Sequence, residues 1–277
     1  MSPLTSRFIE VHGLRLHYLE GGQGAPVLLL HGWPTSSFLY RNVAPHLVAA
    51  GRRVIALDLP GFGRSDKPLD VSYSFPFFDR TLTGFLDALG IEQTGLVVHD
   101  LGGPVGLHWM VGNPARVSAL CLLNTLVYPR PSWAVVAFVV GSYLPLIKGW
   151  LVSPAGLRFA MKIGTCSPEG SSEEVVAGVQ EPFATAAARK ALLESAHGLH
   201  PGGMKTIASR LPATTVPVRI VYGTKDRILP DVERTMRRVA RELNLPDEQV
   251  TALDGCGHFL QEDRPDEVGR LLAAFFG

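Results

Sequence analysis

The chain has 277 residues, of which 46% are hydrophobic and 18% charged, and 26 Lys and Arg against 25 Asp and Glu leave a net charge of +1. So much apolar material with so little net charge excludes a disordered chain, and the charge balance excludes the basic footprint of a nucleic-acid binder. Three scattered cysteines, Cys121, Cys166 and Cys256, are too few for a disulfide framework or a zinc site, and they fit a reduced, cytoplasmic setting.

The N-terminal stretch MSPLTSRFIEVHG lacks the apolar segment of a signal peptide. Two alternating runs follow, 8–13 and 14–22, and the turn-like His12-Gly13 between them predicts a hairpin. From residue 26 onward the apolar runs become continuous: PVLLLHG (26–32), RVIALDLPG (53–61), GLVVHD (95–100), ALCLLN (119–124), VRIVYG (218–223) and QVTALDG (249–255). Continuous Val/Leu/Ile runs predict strands covered on both faces, as parallel sheets require. Helical patterns near 40–50, 76–89, 102–113, 231–243 and 265–276 alternate with them. The alternation predicts a doubly wound α/β fold, a mostly parallel eight-stranded sheet flanked by helices.

Residues 125–217 break the pattern, with no good strand but helical stretches at 155–163 and 184–195. A crossover needs only about a dozen residues, so this is a helical insertion after strand 6, over the sheet end where α/β folds bind ligands. The expected division is a core of 1–124 and 213–277 with a helical cap of 125–212. Within the insertion, Pro131 to Ile147 carries no charge over 17 residues and is interrupted by Ser132, Gly141, Ser142 and Pro145. That falls short of the ~18–20 apolar residues of a transmembrane helix. The expectation is a buried helix lining an apolar pocket, with no membrane span.

Four segments carry chemistry. In VVHDLGG (97–103) a strand runs through Asp100 into Gly102-Gly103 and a helix, the strand–turn–helix context of a nucleophile elbow. Asp100 stands where a serine usually does, and a helix N-terminus favours its ionised form; the plainer alternative is an N-cap aspartate. LLLHGWP (28–34) ends a strand in a Gly-containing turn, which makes the backbone N–H groups of Trp33 and Leu101 a candidate oxyanion hole, with His31 a possible loop tie. Asp226 in VYGTKDRILP (221–230) and His258 in DGCGHFLQED (254–263) form a candidate base with its orienting carboxylate. All four lie at the carboxyl ends of strands, in the order nucleophile, acid, base.

With HGWPTSSFLYR (31–41), DLPGFGRSDKP (58–68), HDLGG (99–103), GTKDRILP (223–230) and GHFLQED (257–263), the chain resembles an α/β-hydrolase-fold enzyme with an aspartate nucleophile, the group of haloalkane dehalogenases and epoxide hydrolases. The resemblance implies that Asp100 forms a covalent alkyl ester with an electrophilic carbon. His258, held by Asp226, then activates water against that ester, and the N–H groups of Trp33 and Leu101 stabilise the oxyanion. It implies no metal or organic cofactor, and a small uncharged apolar substrate with water as the second reactant. Asp58 and Asp66 are expected to fix the strand-four loop, and Arg234, Arg237, Arg238 and Arg241 to form a solvated helix face. Nothing in the sequence specifies an oligomeric state.

Two positions bear on the leaving group. Haloalkane dehalogenases hold the halide with a Trp after the nucleophile and an Asn or Glu after HG; here these are Leu101 and Trp33. Leu101 has no side-chain donor, and a halide in a dry pocket needs one; Trp150 can supply half a clamp. Epoxide hydrolases accept an aromatic residue after HG and use cap acids, commonly two tyrosines, with histidine replacing one in some members. Tyr143, 43 residues after Asp100, falls near the first acid, and His197 or His200 near the second. The resemblance therefore favours epoxide hydrolysis, with haloalkane dehalogenation as the alternative. A non-catalytic binder of apolar molecules is a further one.

Overall fold

The computed structural model describes residues 4–130 and 132–277; residues 1–3 of the N-terminal stretch and Pro131, the first residue of the apolar segment, lie outside the described residues. The N-terminal alternation forms strands β1 (Thr5–Val11) and β2 (Leu14–Gly21), antiparallel across His12 and Gly13, both of positive φ. Then come β3 (Pro26–Leu30), β4 (Arg53–Leu57), β5 (Thr94–Asp100), β6 (Val117–Thr125), β7 (Val218–Gly223) and β8 (Val250–Leu253). They complete one eight-stranded sheet in the order β1-β2-β4-β3-β5-β6-β7-β8, antiparallel up to β4 and parallel from β4 to β8.

The two-residue period of the strands sorts their side chains into two cores. Leu28, Leu30, Ile55, Leu57, Leu96 and Val98 face one side. There they meet helices α2 (Phe75–Ala88), α3 (Gly102–Gly112) and α10 (Val232–Glu242). Val27, Leu29, Val54, Ala56 and Val97 face the other, against α1 (Ala44–Ala49) and α12 (Pro265–Phe276). All seven residues of β5 are buried, as a central parallel strand requires.

Among the described residues, six α-helices lie between β6 and β7: α4 (Trp133–Tyr143), α5 (Pro145–Leu151), α6 (Pro154–Gly164), α7 (Glu173–Gln180), α8 (Ala186–Ser195) and α9 (Pro201–Arg210). Hydroxyls start four of them: Ser132, Ser153, Ser172 and Thr185 accept backbone N–H groups of α4, α6, α7 and α8. α9 packs on the α2–α3 side, with Met204 and Ile207 buried. A short helix, α11 (Leu260–Asp263), precedes α12.

The expectation of a buried apolar helix is corrected here. α4 and α5 carry the uncharged segment, bent 111° apart, and most of their large side chains are exposed. The reason is layer thickness: the insertion is one helix deep, so only the side bearing Val135, Phe138, Gly141 and Ser142 turns inward. The outer side has nothing above it among the described residues. No single described helix is long and apolar enough to cross a membrane.

Candidate active site

Asp100 ends β5 with φ +47°, in the left-handed region that costs a non-glycine residue of order 1–3 kcal/mol. Its surroundings enforce the turn. Thr125 Oγ1 donates to the Asp100 carbonyl at 2.6 Å. A Cβ on Gly102 would strike the Leu30 and His31 carbonyls, and one on Gly103 the Thr125 hydroxyl. Gly32 lies directly against the Asp100 carboxylate, where a Cβ would again collide. The small residues of HGW and HDLGG thus let two loop backbones close around one carboxylate.

That carboxylate has two distinct oxygens. Oδ1 accepts the Trp33 N–H at 2.7 Å, while Oδ2 lies 3.4 Å from His258 Nε2. Burial pushes the Asp100 carboxyl up, but the hydrogen bond and charge of His258, with the Leu101 N–H, bring it below its ordinary value. It is therefore ionised at neutral pH. The structure brings the backbone N–H groups of both Trp33 and Leu101 to the carboxylate.

His258 is fully buried in the loop after β8, and its Nδ1 donates to Asp226 Oδ2 at 2.8 Å. Its Nε2 faces Asp100 Oδ2 across the long contact of 3.4 Å. Burial alone would lower the His258 pKa, but Asp226 and Asp100 outweigh it and raise the ring to about 10. Asp226 in turn receives the Ile228 and Leu229 N–H groups on Oδ1 and the Asn124 amide on Oδ2. Burial pushes Asp226 up, and His258 with these donors holds it net below the usual range.

Asn124 escaped the sequence reading. It closes β6 at φ +27°, donates to Asp226 at 2.7 Å and accepts the Gly223 N–H at 2.9 Å, pinning the acid to the end of β7. Its signal was present: an amide ending a buried run on the sheet edge that holds every other site residue. His99 is a second omission. Burial and the neighbouring His258 lower it to about 3, so it is neutral, and its Nε2–H donates to the His258 carbonyl at 3.0 Å.

The loops around the site are tied from several directions. His31 donates from Nδ1 to the Gly32 carbonyl and accepts the Leu59 N–H on Nε2, the loop-tying role anticipated for it. Asp58 accepts from Ser37 N, Arg64 N and His17 Nδ1; burial raises its pKa, but the His17 contact brings it to about 2. Asp66 accepts the Arg15 N–H, so both aspartates fix the strand-four loop. Arg41 grips Glu262 through two nitrogens at 2.6 and 2.9 Å, joining the FLYR segment to the loop that carries His258. Asp263 accepts the N–H groups of Cys166, Ser167 and Gly257, clasping the end of α6 to that same loop.

The candidate leaving-group residues lie elsewhere. Tyr143 and His197 do come together, stacked at 4.3 Å, and His197 Nε2 pairs with Ser142 Oγ at 2.7 Å. Yet Tyr143 is 62% exposed, and Trp150, packed on Phe159, is 43% exposed. His200 precedes α9 without a side-chain capping bond. A donor serving a dry pocket must be screened from water, so as placed neither Tyr143 nor Trp150 acts as one. The part of the insertion that meets the HGW turn is different: the Trp33 indole N–H donates to the Leu192 carbonyl of α8 at 3.1 Å, and its ring packs edge-on against Phe138 of α4.

Comparison with known proteins agrees with this architecture. The family model of the α/β hydrolase fold matches residues 25–151. Haloalkane dehalogenase 2 of Mycobacterium tuberculosis (strain ATCC 25618 / H37Rv) is 31% identical over 99% of this chain and 96% of that protein. The cis-3-alkyl-4-alkyloxetan-2-one decarboxylase of Shewanella oneidensis is 31% identical over 96% of this chain and 86% of that protein. The solved structure of epoxide hydrolase CorEH superposes with a TM-score of 0.80 at 28% identity, over 99% of this chain and 98% of that one. The chain belongs to the α/β-hydrolase family, as a hydrolase of the haloalkane dehalogenase and epoxide hydrolase group.

Proposed function

We propose that this hydrolase opens small, uncharged apolar epoxides to diols through a covalent ester on Asp100. In this reading the core is 1–124 and 213–277, the cap 125–212, and the three free thiols suit a cytoplasmic setting. The observation that carries it is an ionised carboxylate with one oxygen in an oxyanion turn and the other against a carboxylate-oriented histidine. Asp100 Oδ2 attacks a ring carbon, the C–O bond breaks, and its electron pair stays on the ring oxygen, which takes up a proton. Water then gives a proton to His258 Nε2 as its oxygen adds to Asp100 Cγ. The oxyanion sits on the Trp33 and Leu101 N–H groups. Collapse expels the alkyl oxygen, which takes the proton from His258 and leaves Asp100 as a carboxylic acid; passage of its remaining water proton to His258 restores the carboxylate.

The electrostatics suit this order. Before reaction His258 lies between two carboxylates and its pKa is raised. Esterification removes the charge on Asp100, so the histidine becomes a weaker proton holder, gives the proton it carried to solvent in place of the one the ring oxygen takes up, and is free as a base just when one is needed.

The choice of epoxide rests on Leu101, which offers no side-chain donor, and on the Trp33 indole, which is engaged with Leu192. The Tyr143–His197 pair matches the chemistry of a ring-oxygen acid, and protonating the ring requires Tyr143 to turn inward from its exposed position. Haloalkane dehalogenation is the second reading, favoured by the dehalogenase relative. A panel of terminal epoxides and bromoalkanes, with diol and halide measured separately, separates the two; halide release without diol overturns the epoxide reading. A cis-dialkyl oxetanone belongs in the panel because of the decarboxylase relative, and because its ring oxygen departs as a carboxylate that needs little acid assistance. His258→Gln should trap the ester, giving a mass increase on the peptide carrying Asp100. No adduct with any electrophile favours a non-catalytic binder.

A further inference from the structure

Nine of the eleven large hydrophobic side chains exposed among the described residues lie between Trp133 and Phe159. Trp133, Val136, Val140 and Tyr143 recur at helical spacing along the outer face of α4. Past the 111° bend the stripe continues over α5, where Leu146 is 92% exposed and Trp150 follows one turn on. A concentration of this kind marks an interaction surface.

The charges around it select the partner. From Val127 to Pro168 there is no Asp or Glu, whereas Arg130, Lys148, Arg158 and Lys162 fall in that span. Arg158 is paired with Glu173, which leaves Arg130, Lys148 and Lys162, all exposed, beside the apolar face. One carboxylate, Glu194, reaches it through His197, which stacks on Tyr143 and lies 3.8 Å from Glu194. An apolar helix face edged by tryptophans and by cations is the composition of an interfacial membrane helix, and the cations match the anionic lipids of a cytoplasmic leaflet. A second copy fits less well, because a symmetric contact would bring Lys148 and Lys162 against their own kind. The bend also projects Leu146 as a wedge, which a fluid acyl layer accommodates.

We propose that α4 and α5 dock this enzyme onto anionic lipid surfaces. The inner side of α4 carries Phe138, which packs on Trp33 at 4.7 Å, so one helix separates the lipid from the oxyanion turn. An apolar substrate dissolved in the membrane is thereby presented beside Asp100. The docking needs no turnover, so it stands or falls separately from the epoxide reading.

Flotation of the full chain with vesicles of phosphatidylcholine alone, or with about a third phosphatidylglycerol, tests the proposal. Lys148 and Lys162 alone predict about thirtyfold tighter binding to the anionic vesicles. Leu146→Glu should weaken binding to both vesicle types by about tenfold or more; its unchanged melting temperature shows that the fold is intact. K148E/K162E should erase the anionic preference and leave the weak binding to phosphatidylcholine. Failure of the wild type to float with either vesicle overturns the proposal. So does a dimer, seen by sedimentation, that Leu146→Glu dissociates in a protein that ignores vesicles.

Discussion

Strand β6 and helix α4 are equally greasy and meet opposite fates. Leu120, Leu122 and Leu123 are fully buried between two helix layers, whereas Trp133, only eight residues past the end of β6, is 75% exposed. The difference lies in the neighbours. A central parallel strand is covered on both faces by construction; a helix in a single outer layer has one side that nothing covers. The same apolar composition stabilises the fold in the first case and advertises a surface in the second.

The contrast can be broken or sharpened by substitution. The largest effect belongs to the buried site: Asp100→Ala should lower kcat by about 10⁴-fold or more in single-turnover assays, as loss of a nucleophile does. A variant keeping a tenth of the activity would place the chemistry elsewhere. Next comes the pair Leu122→Ala and Leu146→Ala. The first should cost about 3 kcal/mol in urea denaturation through its cavity, and the second no more than about 0.5 kcal/mol. Equal losses would mean that α5 is packed in solution.

Asn124→Gly removes the amide while relieving the positive φ. It should lower kcat about tenfold with little change in KM, and destabilise by about 2 kcal/mol as the Gly223 N–H and Asp226 lose a partner. Full activity would reduce Asn124 to a strand tie.

The smallest effect is a slope. His258 is raised from 6.5 to about 10, so its contribution to stability is complete below about pH 6.5 and is lost as pH rises toward 10. Asp100 and Asp226 are lowered, so theirs is present above the ordinary carboxylate range and lost as pH falls below it. Melting temperature should therefore decline from pH 7 to 10, and decline less in His258→Gln. Parallel slopes would remove His258 as the source.

The candidate trio was legible because each member ends a local strand–turn pattern: Asp100 before two glycines, Asp226 after VYGTK, His258 after GCG. Turn chemistry of that kind is written within a few residues. Asn124 was not, because its partners lie 99 and 102 residues away and its own neighbourhood is simply the end of a strand. The hairpin, the sheet and the helical insertion followed from periodicity. The exposure of α4 did not, since hydropathy counts apolar side chains without saying which of them will find a neighbour. The direction of Tyr143 is hidden for the same reason: it depends on how a one-helix layer is rotated over the sheet.

The clasp between Arg41 and Glu262 spans 221 residues, and His258 belongs to the same final loop. The Asp100 carboxylate and the His258 ring are thus brought together by contacts between distant parts of the chain and not by one local turn. On the proposed mechanism, an Asp100 deprived of His258 would meet an electrophile once and keep the adduct, a trap instead of a catalyst. On that mechanism, repeated turnover depends on a tertiary contact that no local segment of the chain supplies.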